Sequence, residues 1–148
     1  MKILIDADGC PVMDITLSMA KERDIETIIL CDTAHIINKE GVETITVSKG
    51  SDSVDFSLLK LVKKGDLVVT QDYGLAGMVL AKGGLAIRQD GLVYNDYNID
   101  RLLEERHNAK KLRKSGARFK GPKKRTIEDD TKYTNELKKL LGENSEKR

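Results

Sequence analysis

The chain opens on an unbroken apolar run, Ile3-Leu4-Ile5, closed by Asp6. A short run with no polar face reads as a strand buried on both sides of a sheet. Over 11–23, Val12, Ile15, Met19 and Ala20 recur at the spacing of one helical face, and Pro11 suits a first helical position. Thr27-Ile28-Ile29-Leu30-Cys31 predicts a second strand. The alternating, β-branched stretch from Val42 to Val47 predicts a third. Val54, Leu58, Leu61 and Val62 mark a helix over 52–64, closed by Lys63-Lys64-Gly65 with cations in its last turn. Asp66-Leu67-Val68-Val69-Thr70 predicts a fourth, central strand. A short helix from Leu75 to Lys82 follows, closed by Gly83-Gly84, and then a fifth strand, Leu85-Ala86-Ile87. Asp90-Gly91 turns the chain towards Leu92-Val93-Tyr94 as a small hairpin.

Strands alternating with helices through residue 88 predict βαβ units. The expected fold is α/β: a three-layer domain around a central, mainly parallel sheet of four or five strands. The pattern changes near residue 99. Residues 99–114 read as a charged helix and 115–125 as a basic loop containing Gly and Pro. Residues 127–141 read as a last helix, with Thr126 and Asp129 at capping-box spacing. Residues 1–98 thus form the expected core, and 99–148 a basic helical extension of the same domain.

At 148 residues, 39% of them hydrophobic, the chain can bury one core of ordinary size. No stretch approaches the ~20 apolar residues of a membrane-spanning helix. Asp6 and Asp8 interrupt the apolar start, which a secretory signal does not tolerate. Cys10 and Cys31 are neither a disulfide framework nor a paired zinc motif. A cytoplasmic location is expected. The charge is unevenly spread. Residues 1–100 carry 10 Lys and Arg against 16 Asp and Glu, and residues 101–148 carry 16 against 8. An acidic body suits cations, and a basic tail suits polyanions.

Ligands of parallel sheets bind at the carboxyl ends of the strands. Asp6 and Asp8 end the first strand, Asp72 follows the fourth, and Asp52 and Asp55 open the helix after the third. Neighbouring strands lie about 4.8 Å apart, so carboxylates from adjacent ends can converge. Such carboxylates repel one another unless a counter-charge intervenes, and hard Mg²⁺ or Mn²⁺ prefers oxygen ligands. Asp6, Asp8, Asp52, Asp55 and Asp72 are therefore candidate metal ligands. Asp6, Asp52, Asp55 and Asp72 are the candidate catalytic groups, with Thr70 in support. The chemistry this implies is metal-assisted phosphoryl transfer. A plainer reading makes Asp52 an N-cap, Asp55 a first-turn residue, and Asp8-Gly9 and Asp72-Tyr73-Gly74 turn chemistry.

Two other chemistries fit parts of the chain. A strand followed by Asp6-Ala7-Asp8-Gly9 also suits a haloacid-dehalogenase-type phosphatase, with Asp6 as nucleophile and Asp8 as general acid/base. Thr70 would be its partial second motif. A later acidic pair after an apolar strand is missing, because Glu128-Asp129-Asp130 follows a basic loop. A cysteine phosphatase needs an arginine six residues after Cys10, and that position is Thr16. Cys10 is expected to pack at the helix start. His35 and His107 have no ligand companions and are given no role. From Arg106 to Arg125, ten of twenty residues are Lys or Arg. This segment suits phosphate contacts, with Arg113, Lys114, Arg118, Lys120, Lys123 and Lys124 as nucleic-acid-binding candidates. Only Phe119 is near for stacking. A non-catalytic RNA-binding protein is the third class.

Three blocks carry a resemblance: Ile5-Asp6-Ala7-Asp8-Gly9-Cys10-Pro11-Val12, Gly50-Ser51-Asp52-Ser53-Val54-Asp55, and Gly65-Asp66-Leu67-Val68-Val69-Thr70-Gln71-Asp72. Together with Leu112-Arg113, Gly116 and Gly121-Pro122 in the tail, they resemble the bacterial YaiI/YqxD family over nearly the full length. Gly9 stands where alanine is commoner in the family, a difference expected to have no consequence. The family is similar to PIN and NYN domains, which are metal-dependent ribonucleases. The resemblance implies carboxylate roles for Asp6, Asp52 or Asp55, and Asp72, a Mg²⁺ or Mn²⁺ cofactor, and an RNA substrate.

Overall fold

Each of the five predicted strands forms, and each sends alternate side chains to opposite faces of one sheet. The computed structural model describes residues 1–33, 39, 41–48, 53–114 and 124–142; residues 53, 106, 109 and 111–114 are described by backbone alone. The strands are β1 (Ile3–Asp6), β2 (Thr27–Asp32), β3 (Glu43–Val47), β4 (Leu67–Val69) and β5 (Leu85–Ile87). All pair in parallel, in the order β3-β2-β1-β4-β5. The helices are α1 (Met13–Glu22), α2 (Ser53–Leu61), α3 (Tyr73–Ala81), α4 (Asp96–Lys114) and α5 (Ile127–Leu140).

The sheet is covered on both sides, as the unbroken apolar runs require. Ile3, Ile5, Ile29, Leu67, Val69 and Ile87 meet Met13 and Met19 of α1 and Tyr133 and Leu137 of α5. Leu4, Ile28, Leu30, Val68 and Ala86 face the other way, onto Leu58 of α2, Leu75 and Val79 of α3, and Ile99 of α4. The result is three layers, the architecture the sequence predicts. Among the described residues no helix is long and apolar enough to cross a membrane.

The differences from expectation have local causes. β4 is an interior strand, but β1 is the middle one; strand order follows from the crossovers, which apolar content does not encode. Pro11 lies outside α1, whose N-cap is Val12. The turn closed by the Cys10 N–H on the Ala7 carbonyl, 3.3 Å, delays the helix. The predicted hairpin reduces to one antiparallel bridge, Ile87 with Val93. α4 begins at Asp96, because Asn95 and Asn98 cap each other reciprocally, amide to side chain, at 2.9 and 2.8 Å. The Thr126–Asp129 capping box is present as predicted. The 98/99 boundary falls inside α4. Tyr133 and Leu137 of α5, both fully buried, complete the α1 layer.

Candidate active site

In the sheet order, β1 leads outward through β2 to β3 on one side, and β4 leads to β5 on the other. Crossovers departing in opposite directions leave a crevice at the carboxyl ends of β1 and β4, where α/β sheets bind ligands. Asp6 ends β1. The register sets Ile5 opposite Val69, which brings Asp6 beside Thr70. Thr70 is fully buried. Its hydroxyl donates to Asp6 Oδ2 at 2.8 Å and accepts from the Asp72 backbone N–H at 3.0 Å. Its carbonyl accepts from the Tyr94 hydroxyl at 3.1 Å. Asp72 caps α3, its Oδ1 accepting from the Leu75 N–H at 3.1 Å. Thr70 thus ties the carboxylate of one strand end to the helix cap of the next.

Burial pushes the Asp6 carboxyl above its ordinary range. The Thr70 hydrogen bond opposes that shift, while the charges of Asp72 and Asp8 add to it. Neither Asp6 nor Asp72 forms an ion pair with a described residue. Asp8 is exposed on the loop after β1. That loop is pinned at Gly9, whose carbonyl accepts from Gln71 Nε2 at 3.3 Å and from Gln89 Nε2 at 3.1 Å. Gln89 is buried. Sequence reasoning missed this clamp, although a polar residue just past a buried strand, as in Ile87-Arg88-Gln89, signals it. Gly9 itself has φ +60°. An alanine there carries a backbone cost, contrary to the expectation of no consequence.

The remaining predicted residues divide into placed and unplaced. Asp55 is half-buried in the first turn of α2, where the helix dipole favours a carboxylate. Asp52, Arg118, Lys120, Lys123 and His35 lie outside the described residues, as do the side chains of Arg113 and Lys114. Lys124 and His107 are exposed. Cys10 packs against the α1-side core. Burial, with the Asp6 charge adding to it, pushes its thiol up to about 11. It is therefore a neutral packing group near pH 7 rather than a nucleophile. Glu128-Asp129-Asp130 forms the first turn of α5. Asp129 completes the cap there, and Asp130 binds Arg125.

Asp6, Asp72 and Asp8 each offer carboxylate oxygens, the donors that a hard cation prefers. Among the described residues no three His, Cys, Asp or Glu side chains come together as a ligand set.

The profile of the uncharacterized YaiI/YqxD family matches residues 4–143. A UPF0178 protein of Exiguobacterium sibiricum is 48% identical, covering 99% of this chain and all of its own. One from Clostridium acetobutylicum is 48% identical, covering 95% of this chain and 97% of its own. One from Bacillus cereus is 44% identical, covering 96% and 99%. No solved structure gives a significant match.

Proposed function

We propose that this chain, which belongs to the YaiI/YqxD family, is a metal-dependent nuclease that hydrolyses phosphodiester bonds, with RNA as its substrate class. One observation carries the reading: Asp6 and Asp72 stand at the carboxyl ends of the two strands that flank the switch point, linked through Thr70. The three-layer parallel fold suits the PIN-like relationship that the sequence suggests. Asp6 and Asp72 are the ligands for Mg²⁺ or Mn²⁺, with Asp8 beside them and Asp52 and Asp55 completing the shell or orienting water. A bound ion of this kind supplies an acidified water and polarises a phosphoryl oxygen. The protein's part is to hold the Asp6 carboxylate still. Thr70 fixes one oxygen, and the Gln71–Gln89 clamp fixes the loop that carries Asp8. The Arg- and Lys-rich stretch between Arg106 and Arg125 attracts the polyanion.

The test is calorimetric titration with Mn²⁺, wild type against Asp6→Asn/Asp72→Asn, followed by cleavage of single-stranded RNA in Mn²⁺. The expected result is Mn²⁺ binding and RNA cleavage by the wild type and neither by the variant. Wild-type protein that takes up no Mn²⁺ at millimolar concentration refutes the reading. Mn²⁺ uptake and RNA binding without cleavage leaves a metal-holding RNA-binding protein. Release of phosphate from small phosphomonoesters, with RNA left intact, favours the phosphatase.

A further inference from the structure

Arg125 is the one arginine of the basic segment's second half whose side chain the structure describes, and it is not loose on the surface. Its Nε and Nη2 both donate to Asp130 Oδ1, at 3.0 and 2.5 Å. Its side chain is 27% exposed. It directly precedes Thr126, the N-cap of α5. Two anchors place this end of α5. The Tyr133 hydroxyl lies 2.6 Å from that of Thr16, in the first turns of α1. The turn after β5 reaches α5 so closely that a Cβ on Gly91 would stand 2.9 Å from the Lys132 backbone. Both partners, the start of α1 and the turn after β5, lie at the carboxyl edge of the sheet. From these anchors α5 runs inward to Leu137 and Leu141 in the core, and the other way out to Arg125. Arg125 thus stands about two helical turns before these carboxyl-edge anchors. The charges of Asp6 and Arg125 both reach the Cys10 thiol, with opposite effect.

A cation tied to a helix start can be a mere structural brace. Here the brace uses a single oxygen of Asp130 and leaves Nη1 of Arg125 outside those bonds. An arginine held at its inner edge is pre-oriented to meet a phosphate with the outer one. We propose that Arg125, aimed by Asp130, is the backbone-phosphate contact of the acidic site: the carboxylates of Asp6 and Asp72 take the metal side of a single-stranded polynucleotide, and Arg125 takes an adjacent phosphate. This rests on the nuclease reading for its substrate class. It adds a residue that motif reasoning passed over in favour of Arg113 and Arg118.

The experiment follows anisotropy of a fluorescein-labelled single-stranded RNA across a salt series in Ca²⁺, with cleavage of the same RNA followed separately in Mn²⁺. Arg125→Ala is expected to weaken binding roughly tenfold and to lower the salt slope by about 0.7, the loss of one single-strand phosphate contact. Arg125→Lys keeps the charge and guards against misfolding. It is expected to retain the wild-type salt slope while binding more weakly, since an ammonium cannot bind bidentately. Wild-type affinity and slope in Arg125→Ala overturn the assignment, as does a wild type that does not bind the RNA. Weaker binding by Arg125→Ala, with no cleavage by any form in Mn²⁺, supports Arg125 as a phosphate contact and removes the nuclease reading alone.

Discussion

The two ends of β1 and β4 carry the same residue types and treat them oppositely. At the amino ends, Asp66 is buried and fully answered. It accepts from the Lys2 backbone N–H at 3.0 Å, the Lys2 ammonium at 2.5 Å and the Lys63 N–H at 2.8 Å. Burial alone would raise its pKa, but these donors hold it below the ordinary carboxylate range. At the carboxyl ends, Asp6 is raised by burial and by its neighbours Asp72 and Asp8. One carboxylate has a cation built into the fold. The other faces carboxylates in a crevice where α/β sheets bind ligands. A group held at a cost to the folded state is a candidate for function, whereas a fully partnered one is a candidate for stability.

The largest effect should come from breaking the satisfied end. Asp66→Ala leaves the Lys2 ammonium and two backbone N–H groups without their acceptor, and should cost about 3 kcal/mol in urea unfolding. Asp6→Asn should act in the opposite sense. It keeps an acceptor for Thr70 and removes a repelled charge, so in chelator it should raise the thermal midpoint by about 2–4 °C. A lower midpoint for Asp6→Asn would mean that its charge is compensated after all.

The pH dependence separates the two ends by sign. Asp66 is lowered in the folded state, so its contribution is present above the unfolded carboxylate pKa and is lost as pH falls through the lower folded value. Asp6 is raised, so its contribution is present at acid pH and is lost as pH rises through the folded value. In metal-free buffer the stability advantage of Asp6→Asn over wild type should therefore vanish on acidification. The deficit of Asp66→Ala should shrink over the same descent, at lower pH. Stability measured by urea midpoints across the acid range checks both.

Smaller effects sharpen the comparison at the loop between β1 and α1. Gln89→Ala removes one of two donors to the Gly9 carbonyl and should cost about 1 kcal/mol. It should also weaken Mn²⁺ binding if the clamp positions the carboxylates. Unchanged Mn²⁺ affinity would make the clamp purely structural. Gly9→Ala, at φ +60°, should cost about 1 kcal/mol in the same unfolding assay.

Much of this was legible along the chain because the signals are local. Ile3-Leu4-Ile5 and Leu67-Val68-Val69 are apolar on both faces, and only a sheet covered twice buries them. Thr126 and Asp129 declare a helix start, and Asp6 and Asp72 can be placed at strand ends by counting. The Asn95–Asn98 cap was equally local and was missed because asparagine at both positions is an unusual capping box. What could not be read involved partners far apart in the chain. Lys2 meets Asp66 across 64 residues, and Tyr133 meets Thr16 across 117.

By itself, then, the sequence determined the elements, their type and the acidic character of the strand ends, because apolar period, caps and turn residues act over a few positions. The tertiary structure alone decided that β1 is the middle strand, that Thr70 bonds both the Asp6 carboxylate and the Asp72 backbone, that α5 belongs to the core, and that Asp66 is spent on Lys2. Those facts depend on which strands and helices meet, and that is a property of the packed chain as a whole.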